Sequence, residues 1–352
     1  MRALALVESP FHLICLNEAI SEMAITELDV FVVTSHQSRN FTQLQTVKSY
    51  FPKLISSMVS WHYGNTDEAT GPDLNARIGV YALPFKKFRD RAYGRLILSD
   101  FRSQWQKDIA SAMSGTDTWM LDDGTATLSF LYFHLPAGKQ FSLPVYGSAV
   151  RREEAARIKV SYGLGPEVPG NISLFTIFGT HVPENTQFMT NHLRALRKEF
   201  KEVDESTAVI IGSKVVERDF CDVQEYQQFI DSILKRCPEN VIYIPHRGQT
   251  QSFNEELLAA FPALKIEYID LPLELWLREQ DRPPASLHGF VSTAFYVASS
   301  AFQQIKLYCY APTENMLKRA DELGVYGSDC FTNSEAVRIN YTCLPATVRQ
   351  VV

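Results

Sequence analysis

The sequence predicts an α/β fold of two Rossmann-like domains. Its 352 residues exceed what one ordinary hydrophobic core requires and suit two domains. Short apolar segments alternate with segments of helical periodicity, which is typical of parallel sheets whose strands are joined by helices. The most chemically versatile polar residues follow the ends of these apolar segments, where such sheets bind ligands.

The first domain is predicted at residues 1–185. It opens with an apolar strand, a turn at Glu8-Ser9-Pro10, and a helix with proline near its start. Residues 135–185 are rich in proline and glycine and show no clear period. The predicted strands are 3–7, 28–34 and 118–121, and the predicted helices are 11–23, 40–50 and 85–109.

A charged helix at 190–201 and a linker at 202–206 lead into the second domain, predicted at 207–335, with a tail at 336–352. Its regular alternation of strand and helix predicts a doubly wound parallel sheet. The predicted strands are 208–211, 240–244, 266–269, 288–291 and 305–310, and the predicted helices are 223–236, 254–260, 273–279, 292–302 and 316–323.

Composition restricts the possible partners and cellular compartment. Hydrophobic residues make up 45% of the chain and the net charge is −6, which is typical of a globular enzyme and argues against a nucleic-acid partner. The six cysteines form no C-x-x-C pair, as expected of thiols in a reducing compartment. No stretch has the length of a signal peptide or a membrane span, so we expect a cytoplasmic protein.

A basic run at residues 85–91 has two interpretations. Such runs are most often the solvated face of a helix. The alternative is a patch that meets an anionic glycolipid, which would allow peripheral contact with the inner membrane.

Asp122-Asp123-Gly124 follow the apolar strand 118–121 directly. A carboxylate at the end of a parallel strand can accept a proton from a sugar hydroxyl, and the glycine permits a tight turn. A plain Asp-Gly turn is the more common explanation of this pattern alone. Paired acids also bind magnesium, but no third acid is adjacent, so we expect no metal and no cofactor.

Pro245-His246-Arg247 end the strand 240–244 and are followed by a glycine. An imidazole beside a cation can neutralise a leaving phosphate by hydrogen bonding or by proton donation. A histidine exposed on the surface without a role is the alternative.

Three further segments of the second domain suggest nucleotide binding. Ser292-Thr293 begin a helix, where hydroxyls cap the helix, hold a phosphate, or do both. Glu274 lies in a first helical turn, where an acid favours the helix dipole or binds ribose hydroxyls or a base amine. Gly212-Ser213 follow the first strand of this domain and could offer backbone N–H groups to a phosphate.

These motifs together resemble those of bacterial GT-B sialyltransferases. That family has an Asp/Glu-Asp/Glu-Gly motif, then a His-Pro motif, then a Ser-Ser or Ser-Thr motif, and this chain has Asp122-Asp123-Gly124, Pro245-His246 and Ser292-Thr293 in that order. Residues 7–13 and 272–274 are also similar to segments of lipooligosaccharide sialyltransferases and polysialyltransferase-like proteins. One departure is that proline precedes His246 and Arg247 follows it.

The resemblance implies a GT-B fold whose two domains face each other across a cleft. It implies an inverting, metal-independent transfer of sialic acid, or a related acidic sugar, from a CMP-sugar to a glycan or glycolipid of the cell surface, such as a lipooligosaccharide or capsule. Asp122 would be the general base, with Asp123 in support, and His246 would hydrogen-bond or protonate the leaving phosphate with support from Arg247. The implied donor-binding residues are Gly212, Ser213, Pro245, Glu274, Ser292 and Thr293, and the acceptor side has Ser9, Pro10 and Gly124.

Two alternatives remain at this point. The first is a transferase with the same architecture that uses CMP-Kdo, a UDP-sugar or a GDP-sugar. The second is a non-catalytic protein that retains the fold and binds a glycan or nucleotide, because a fold alone does not imply an activity.

Overall fold

Two parallel β-sheets, one in each half of the chain, organise the protein. The computed structural model describes residues 1–69, 72–138, 148–165, 171–324 and 330–351. The chain divides into two units, unit 1 at Met1–His192 and unit 2 at Leu193–Val352. The predicted α/β class with two Rossmann-like sheets is confirmed.

Unit 1 contains a seven-stranded sheet of order β3-β2-β1-β4-β5-β6-β7, and every neighbouring pair is parallel. This order contains the Rossmann order 3-2-1-4-5-6. The strands are β1 (Arg2–Val7), β2 (Glu27–Thr34), β3 (Val59–Asn65), β4 (Arg95–Leu98), β5 (Asp117–Leu121), β6 (Ser173–Thr176) and β7 (Phe188–Thr190). The helices are α1 (Pro10–Glu22), α2 (Arg39–Tyr50), α3 (Leu74–Phe85), α4 (Gln104–Ala112), α5 (Ala126–Ser129) and α6 (Ala149–Ser161).

Unit 2 contains a six-stranded parallel sheet of order β10-β9-β8-β11-β12-β13. Counted within the unit, this is again the order 3-2-1-4-5-6. The strands are β8 (Asp204–Ile211), β9 (Asn240–Ile244), β10 (Lys265–Ile266), β11 (Pro284–Gly289), β12 (Lys306–Tyr310) and β13 (Val348–Val351). The helices are α7 (Val223–Leu234), α8 (Gln251–Ala260), α9 (Leu273–Glu279), α10 (Thr293–Ala301), α11 (Glu314–Leu323) and α12 (Asn333–Thr342).

The central strand of each sheet is buried on both faces. Every residue from Ala3 to Val7 of β1 is 0% exposed, and Ala208, Val209 and Ile210 of β8 are likewise fully buried. Parallel sheets covered by helices on both sides require such continuous apolar runs. Because parallel strands end at one edge, the residues after β1 and after β8 are fixed at the carboxyl edges of rigid sheets.

Two predicted helices are wrong. Residues 85–109 contain the end of α3, then β4, then the start of α4. The apolar residues of β4 fit the pattern of a helix as well as that of a strand, because periodicity cannot distinguish a buried strand from a helix over so few residues. No helix forms at 190–201, where β7 ends at Thr190 and Leu193 adopts a positive φ of 48°.

The boundaries of the units differ from the predicted ones. The division falls between His192 and Leu193, ahead of the charged segment 202–206. The stretch predicted as a tail, 336–352, contains most of α12 and all of β13. β13 pairs with β12 and buries Val348, so this stretch completes the sheet of unit 2.

No helix in the part of the chain that the structure describes is both long enough and apolar enough to cross a bilayer.

Candidate active site

Three acidic residues gather at the carboxyl edge of the sheet in unit 1. Glu8 follows β1, Asp100 follows β4, and Asp123 follows β5, and these three strands are consecutive in the sheet. Arg102 links two of them. Its Nε donates to Asp100 Oδ1 at 3.0 Å, and its Nη2 donates to Asp123 Oδ2.

Asp122 is the innermost carboxyl of this edge, with 0% of its surface exposed. Its Oδ1 accepts from the hydroxyl of Thr176 at 2.6 Å, and its Oδ2 accepts from the backbone N–H of Ile177 at 2.7 Å. Burial raises the pKa of Asp122 to about 7, although these hydrogen bonds oppose the shift. Asp122 therefore ties the end of β5 to the end of β6.

Asp123, the next residue, is partly open to solvent, with 20% of its side chain exposed. Its Oδ1 lies 2.9 Å from Nε2 of His12, and its Oδ2 accepts from Arg102. Burial raises the pKa of Asp123, but the hydrogen bond from His12 and the charge of Arg102 outweigh it, so the pKa lies below its ordinary value. Gly124, at a φ of 60°, makes the turn that separates the two aspartates from α5.

The tautomer of His12 follows from its hydrogen bonds. The backbone N–H groups of Glu8 and Ser9 both donate to its Nδ1, each at 3.2 Å. Nδ1 is thus an acceptor, which leaves the proton on Nε2, directed at Asp123. Ser9 is the N-cap of α1 and Pro10 its first residue, so the helix start that the sequence predicts also holds the imidazole.

Glu8 and Asp100 are the other two acidic residues of this edge. Glu8 Oε1 accepts from the hydroxyl of Ser103, the indole of Trp105 and, at 3.1 Å, the amide of Gln106. The pKa of Glu8 is raised by burial and then by the charge of Asp100. The pKa of Asp100 is raised by burial and then by the charge of Asp123.

The carboxyl edge of unit 2 has a different character, and its geometry begins with Gly212. A Cβ at this position would lie 2.3 Å from Gln249 Oε1 and 2.9 Å from the backbone nitrogen of His246. Only glycine lets the turns after β8 and β9 approach this closely. Gln249 Oε1 accepts from that same N–H at 2.7 Å, and Pro245 is buried beneath the turn.

His246 sits among cations. Burial lowers its pKa to about 4, with further lowering by the charges of Arg247, Lys214 and Arg218. Its Nδ1 accepts from the N–H of Gly248 at 3.0 Å, so the neutral ring carries its proton on Nε2. The pKa of Lys214 is also lowered by burial and then by its two arginine neighbours.

Glu274 and Ser213 show what else meets this edge. Burial raises the pKa of Glu274, in the first turn of α9, while the charge of Arg247 opposes the rise. The backbone N–H of Ser213 donates to the hydroxyl of Tyr226 at 3.3 Å, and that of Gly212 donates to the carbonyl oxygen of Ile244 at 2.8 Å. The expectation that these two N–H groups are offered to a phosphate is therefore wrong, because both donate within the protein.

Ser292 and Thr293 follow β11, the strand beside β8. Ser292 is the N-cap of α10 and its side chain accepts from the N–H of Ala294 at 3.3 Å, so the predicted capping role is confirmed. His288, just upstream, belongs to the core. Its ring stacks on that of Tyr308, and its nitrogens form hydrogen bonds with the hydroxyls of Ser286 and Tyr310.

The predicted residues of each unit follow the carboxyl ends of strands of one sheet. In unit 1 these are Ser9, Pro10, Asp122, Asp123 and Gly124, and in unit 2 they are Gly212, Ser213, Pro245, His246, Arg247, Glu274, Ser292 and Thr293.

Sequence reasoning missed several members of both edges. Asp100 and Arg102 were missed because a helix was predicted at 85–109, so that no strand end was expected just before them. His12 lies in the opening motif, which predicts no role for it. Lys214 and Arg218 follow β8, and a basic residue after the end of a strand is a signal that could have identified them.

Within the described ranges no group of three or more histidine, cysteine, aspartate or glutamate side chains has a geometry that could hold a metal ion.

Comparison with known proteins gives no match to a family model and none to a curated protein. Solved structures do match. Phytolacca americana UGT2 complexed with UDP-2fluoro-glucose and pterostilbene is 12% identical, with 96% of this chain and 89% of that chain covered and a TM-score of 0.45. Sucrose-phosphate synthase from Thermosynechococcus elongatus is 10% identical over 88% and 82%, with a TM-score of 0.49. UDP-GlcNAc 2-epimerase from Methanocaldococcus jannaschii is 12% identical over 97% and 92%, with a TM-score of 0.47. Similarity at this level does not identify the reaction of this protein.

Proposed function

We propose that this protein is an inverting, metal-independent glycosyltransferase that moves sialic acid, or a related acidic sugar, from a CMP-sugar to a hydroxyl of a glycan. The observation that carries the proposal is the group of cations, Lys214, Arg218 and Arg247, around the neutral His246 at the carboxyl edge of a Rossmann-ordered sheet. Open parallel sheets bind their ligands at this edge, and a cationic cluster there suits a phosphate.

Unit 2 would bind the nucleotide. The cations would balance the phosphate charge, and Nε2–H of His246 would donate a hydrogen bond to a phosphate oxygen. Because the pKa of His246 is lowered to about 4, the imidazole would act as a neutral donor rather than as a proton source at neutral pH. Ser292 and Thr293 would add the helix start of α10, and Glu274 would accept from cytidine.

Unit 1 would supply the base. A carboxylate of the Asp122-Asp123 pair would take the proton of the acceptor hydroxyl, whose oxygen would form the bond to the anomeric carbon. The bond from that carbon to the phosphate oxygen would break, and CMP would leave with the electron pair. One attack from the opposite side inverts the anomeric centre, and the proton would pass from the carboxyl to solvent.

The motif resemblance supports sialic acid as the transferred sugar and a cell-surface glycolipid or polysaccharide as the acceptor. We propose a cytoplasmic location with peripheral membrane contact.

The test is a thermal-shift series with CMP, UDP and GDP, each with and without EDTA. A ligand that binds only the folded state raises the melting temperature by mass action, so we expect CMP to stabilise the protein most and EDTA to change nothing. Lys214→Ala should reduce the CMP shift, whereas Lys53→Ala, an exposed lysine of unit 1, should not.

Preferential stabilisation by UDP or GDP would overturn the choice of donor. Absence of a shift with all three nucleotides would overturn nucleotide binding. CMP binding without release of CMP from CMP-sialic acid, with or without a glycan acceptor, would favour the non-catalytic alternative.

A further inference from the structure

We infer that Asp123, not Asp122, takes the proton of the acceptor hydroxyl, and that His12 is the positioning residue that orients it. The inference rests on the proposed function and assigns the base within the acidic pair. It was not available from the sequence, because the two aspartates are adjacent and carry the same functional group.

Access separates the two carboxyls. Asp122 is 0% exposed and both of its oxygens accept hydrogen bonds from the end of β6. A substrate hydroxyl therefore has no access to Asp122 in this structure. Asp123 has 20% of its side chain exposed.

Asp123 also retains room to accept. A carboxylate offers about four lone-pair directions over its two oxygens. The described hydrogen bonds to its side chain come from His12, on Oδ1, and Arg102, on Oδ2. Asp123 can therefore accept a substrate hydroxyl while both of its partners stay in place.

His12 is built to hold this orientation. It is 1% exposed, and its Nδ1 is fixed as an acceptor by the backbone N–H groups of Glu8 and Ser9. Its Nε2–H then has one direction in which to donate, toward Asp123 Oδ1 at 2.9 Å. A reacting carboxylate must be held within a narrow range of angles, and a second residue with a locked side chain achieves this.

Charge at the edge keeps Asp123 ionised. The charged and titratable groups near it are Arg102, His12, Asp100, Asp122 and Glu8. Arg102, with 43% of its side chain exposed, stabilises the ionised form of Asp123. The lowered pKa of Asp123 keeps the carboxyl ionised at neutral pH and makes it a weak base, so a proton that it takes passes on to solvent.

Unit 1 contains a matched control. Asp29 has the same kinds of partner, His62 Nε2 at 2.9 Å and Arg91 Nη1 at 2.8 Å. Asp29 lies near the beginning of β2, away from the carboxyl edge of the sheet. Asp29 also accepts from the hydroxyl of Tyr93 at 2.7 Å. Substitutions here disturb an aspartate with histidine and arginine partners without touching the proposed site.

Two substitutions of His12 separate its two contacts. His12→Asn places an oxygen near the position of Nδ1 and preserves the acceptor for the N–H groups of Glu8 and Ser9, but it removes the donor to Asp123. His12→Gln extends an amide toward the position of Nε2 and preserves that donor. A purely structural role predicts that asparagine is the better replacement, whereas a positioning role predicts glutamine.

The experiment measures transfer from CMP-sialic acid to lactose, with kcat, KM for each substrate and the CMP thermal shift recorded for every variant. We expect Asp123→Asn to lower kcat by about 100-fold or more, the range for loss of a general base, with the CMP shift unchanged. His12→Asn should lower kcat by roughly tenfold with little change in KM, and His12→Gln should restore most of it. Asp122→Asn should retain kcat within a few-fold below its melting temperature, as should Asp29→Asn and His62→Gln.

The outcomes are distinguishable. Loss of kcat in Asp122→Asn, with Asp123→Asn close to wild type, would overturn the inference but not the proposed function. A kcat higher in His12→Asn than in His12→Gln would remove His12 from the mechanism. Wild-type protein that neither binds CMP nor releases it from CMP-sialic acid would overturn the proposed function and this inference with it.

Discussion

Asp122 and Asp123 show how far two adjacent residues of one type can differ. Asp122 lies inside the protein, where removal from water disfavours its charged form and raises its pKa to about 7. Asp123 faces His12 and Arg102, whose donors favour its charged form. Near neutral pH the first is therefore partly protonated and the second ionised, so the two suit different tasks.

Replacing the Asp122 carboxyl should change how stability depends on pH. The native pKa of about 7 exceeds the ordinary 3.8, so the native state binds more protons than the unfolded state between these values and stability falls as pH rises through this window. The shift corresponds to roughly 4 kcal/mol between pH 4 and pH 7. We expect Asp122→Asn to remove this contribution, as measured by urea unfolding at several pH values.

The readout is the difference between wild type and variant at each pH. His246 and His288, with pKa values lowered to about 4, contribute the opposite slope in both proteins and cancel in the difference. A difference in unfolding free energy that stays constant from pH 4 to pH 7 would contradict the raised pKa of Asp122.

At the scale of elements, several candidate residues of both carboxyl edges lie at the N-termini of helices. α1 begins after its N-cap Ser9 and carries His12 at its third position, and α10 begins after its N-cap Ser292. Each start needs a side-chain oxygen to satisfy a free backbone N–H, whether or not a ligand is bound. Residues at such positions therefore combine a structural role with whatever binding role they have.

Substitution of two caps tests whether Ser292 has both roles. Ser292→Ala and Ser38→Ala each remove a hydroxyl that caps a helix, α10 in unit 2 and α2 in unit 1. We expect each to lower the free energy of unfolding by about 1 kcal/mol. Only Ser292→Ala should also weaken CMP binding, measured by calorimetry. Equal CMP affinity in the two variants would leave Ser292 as a cap alone.

Across the whole molecule, the two sheets share the strand order 3-2-1-4-5-6 but differ in the residue types at their carboxyl edges, mainly acidic in unit 1 and basic in unit 2. Unit 1 presents Glu8, Asp100 and Asp123, and unit 2 presents Lys214, Arg218 and Arg247. The same scaffold thus supports two different chemistries, because the residues after the strands vary while the strands keep the fold.

This difference between the two units predicts which segments a bound nucleotide protects from hydrogen exchange. We expect CMP to slow amide hydrogen exchange in unit 2, most strongly at residues 212–218 and 245–249, and to leave the segment around Asp123 unchanged. Mass spectrometry of peptides from protein with and without CMP measures this, with uridine as the control for a nucleoside lacking phosphate. Protection confined to unit 1 would contradict the assignment of the donor to unit 2.

The local pattern of residues was enough to predict the α/β class, three of the seven strands of unit 1, at least part of five of the six strands of unit 2, and the turns that carry Asp122, His246 and Ser292. This is because alternation of apolar and polar segments and the chemistry of turns act over a few residues. The same local reasoning missed β3, β6 and β7. It also failed at β4, where a four-residue strand resembles part of a helix, and Asp100 and Arg102 were therefore missed as well.

Which aspartate is accessible depended on residues far away in the chain. Asp122 is buried by β6, whose Thr176 is 54 positions distant, and Asp123 is oriented by His12, 111 positions distant. Burial and hydrogen bonding are set by such long-range contacts, so a linear pattern identifies the acidic pair but cannot separate its members. The folded chain separates them, because it buries one carboxyl against a neighbouring strand and leaves the other facing solvent.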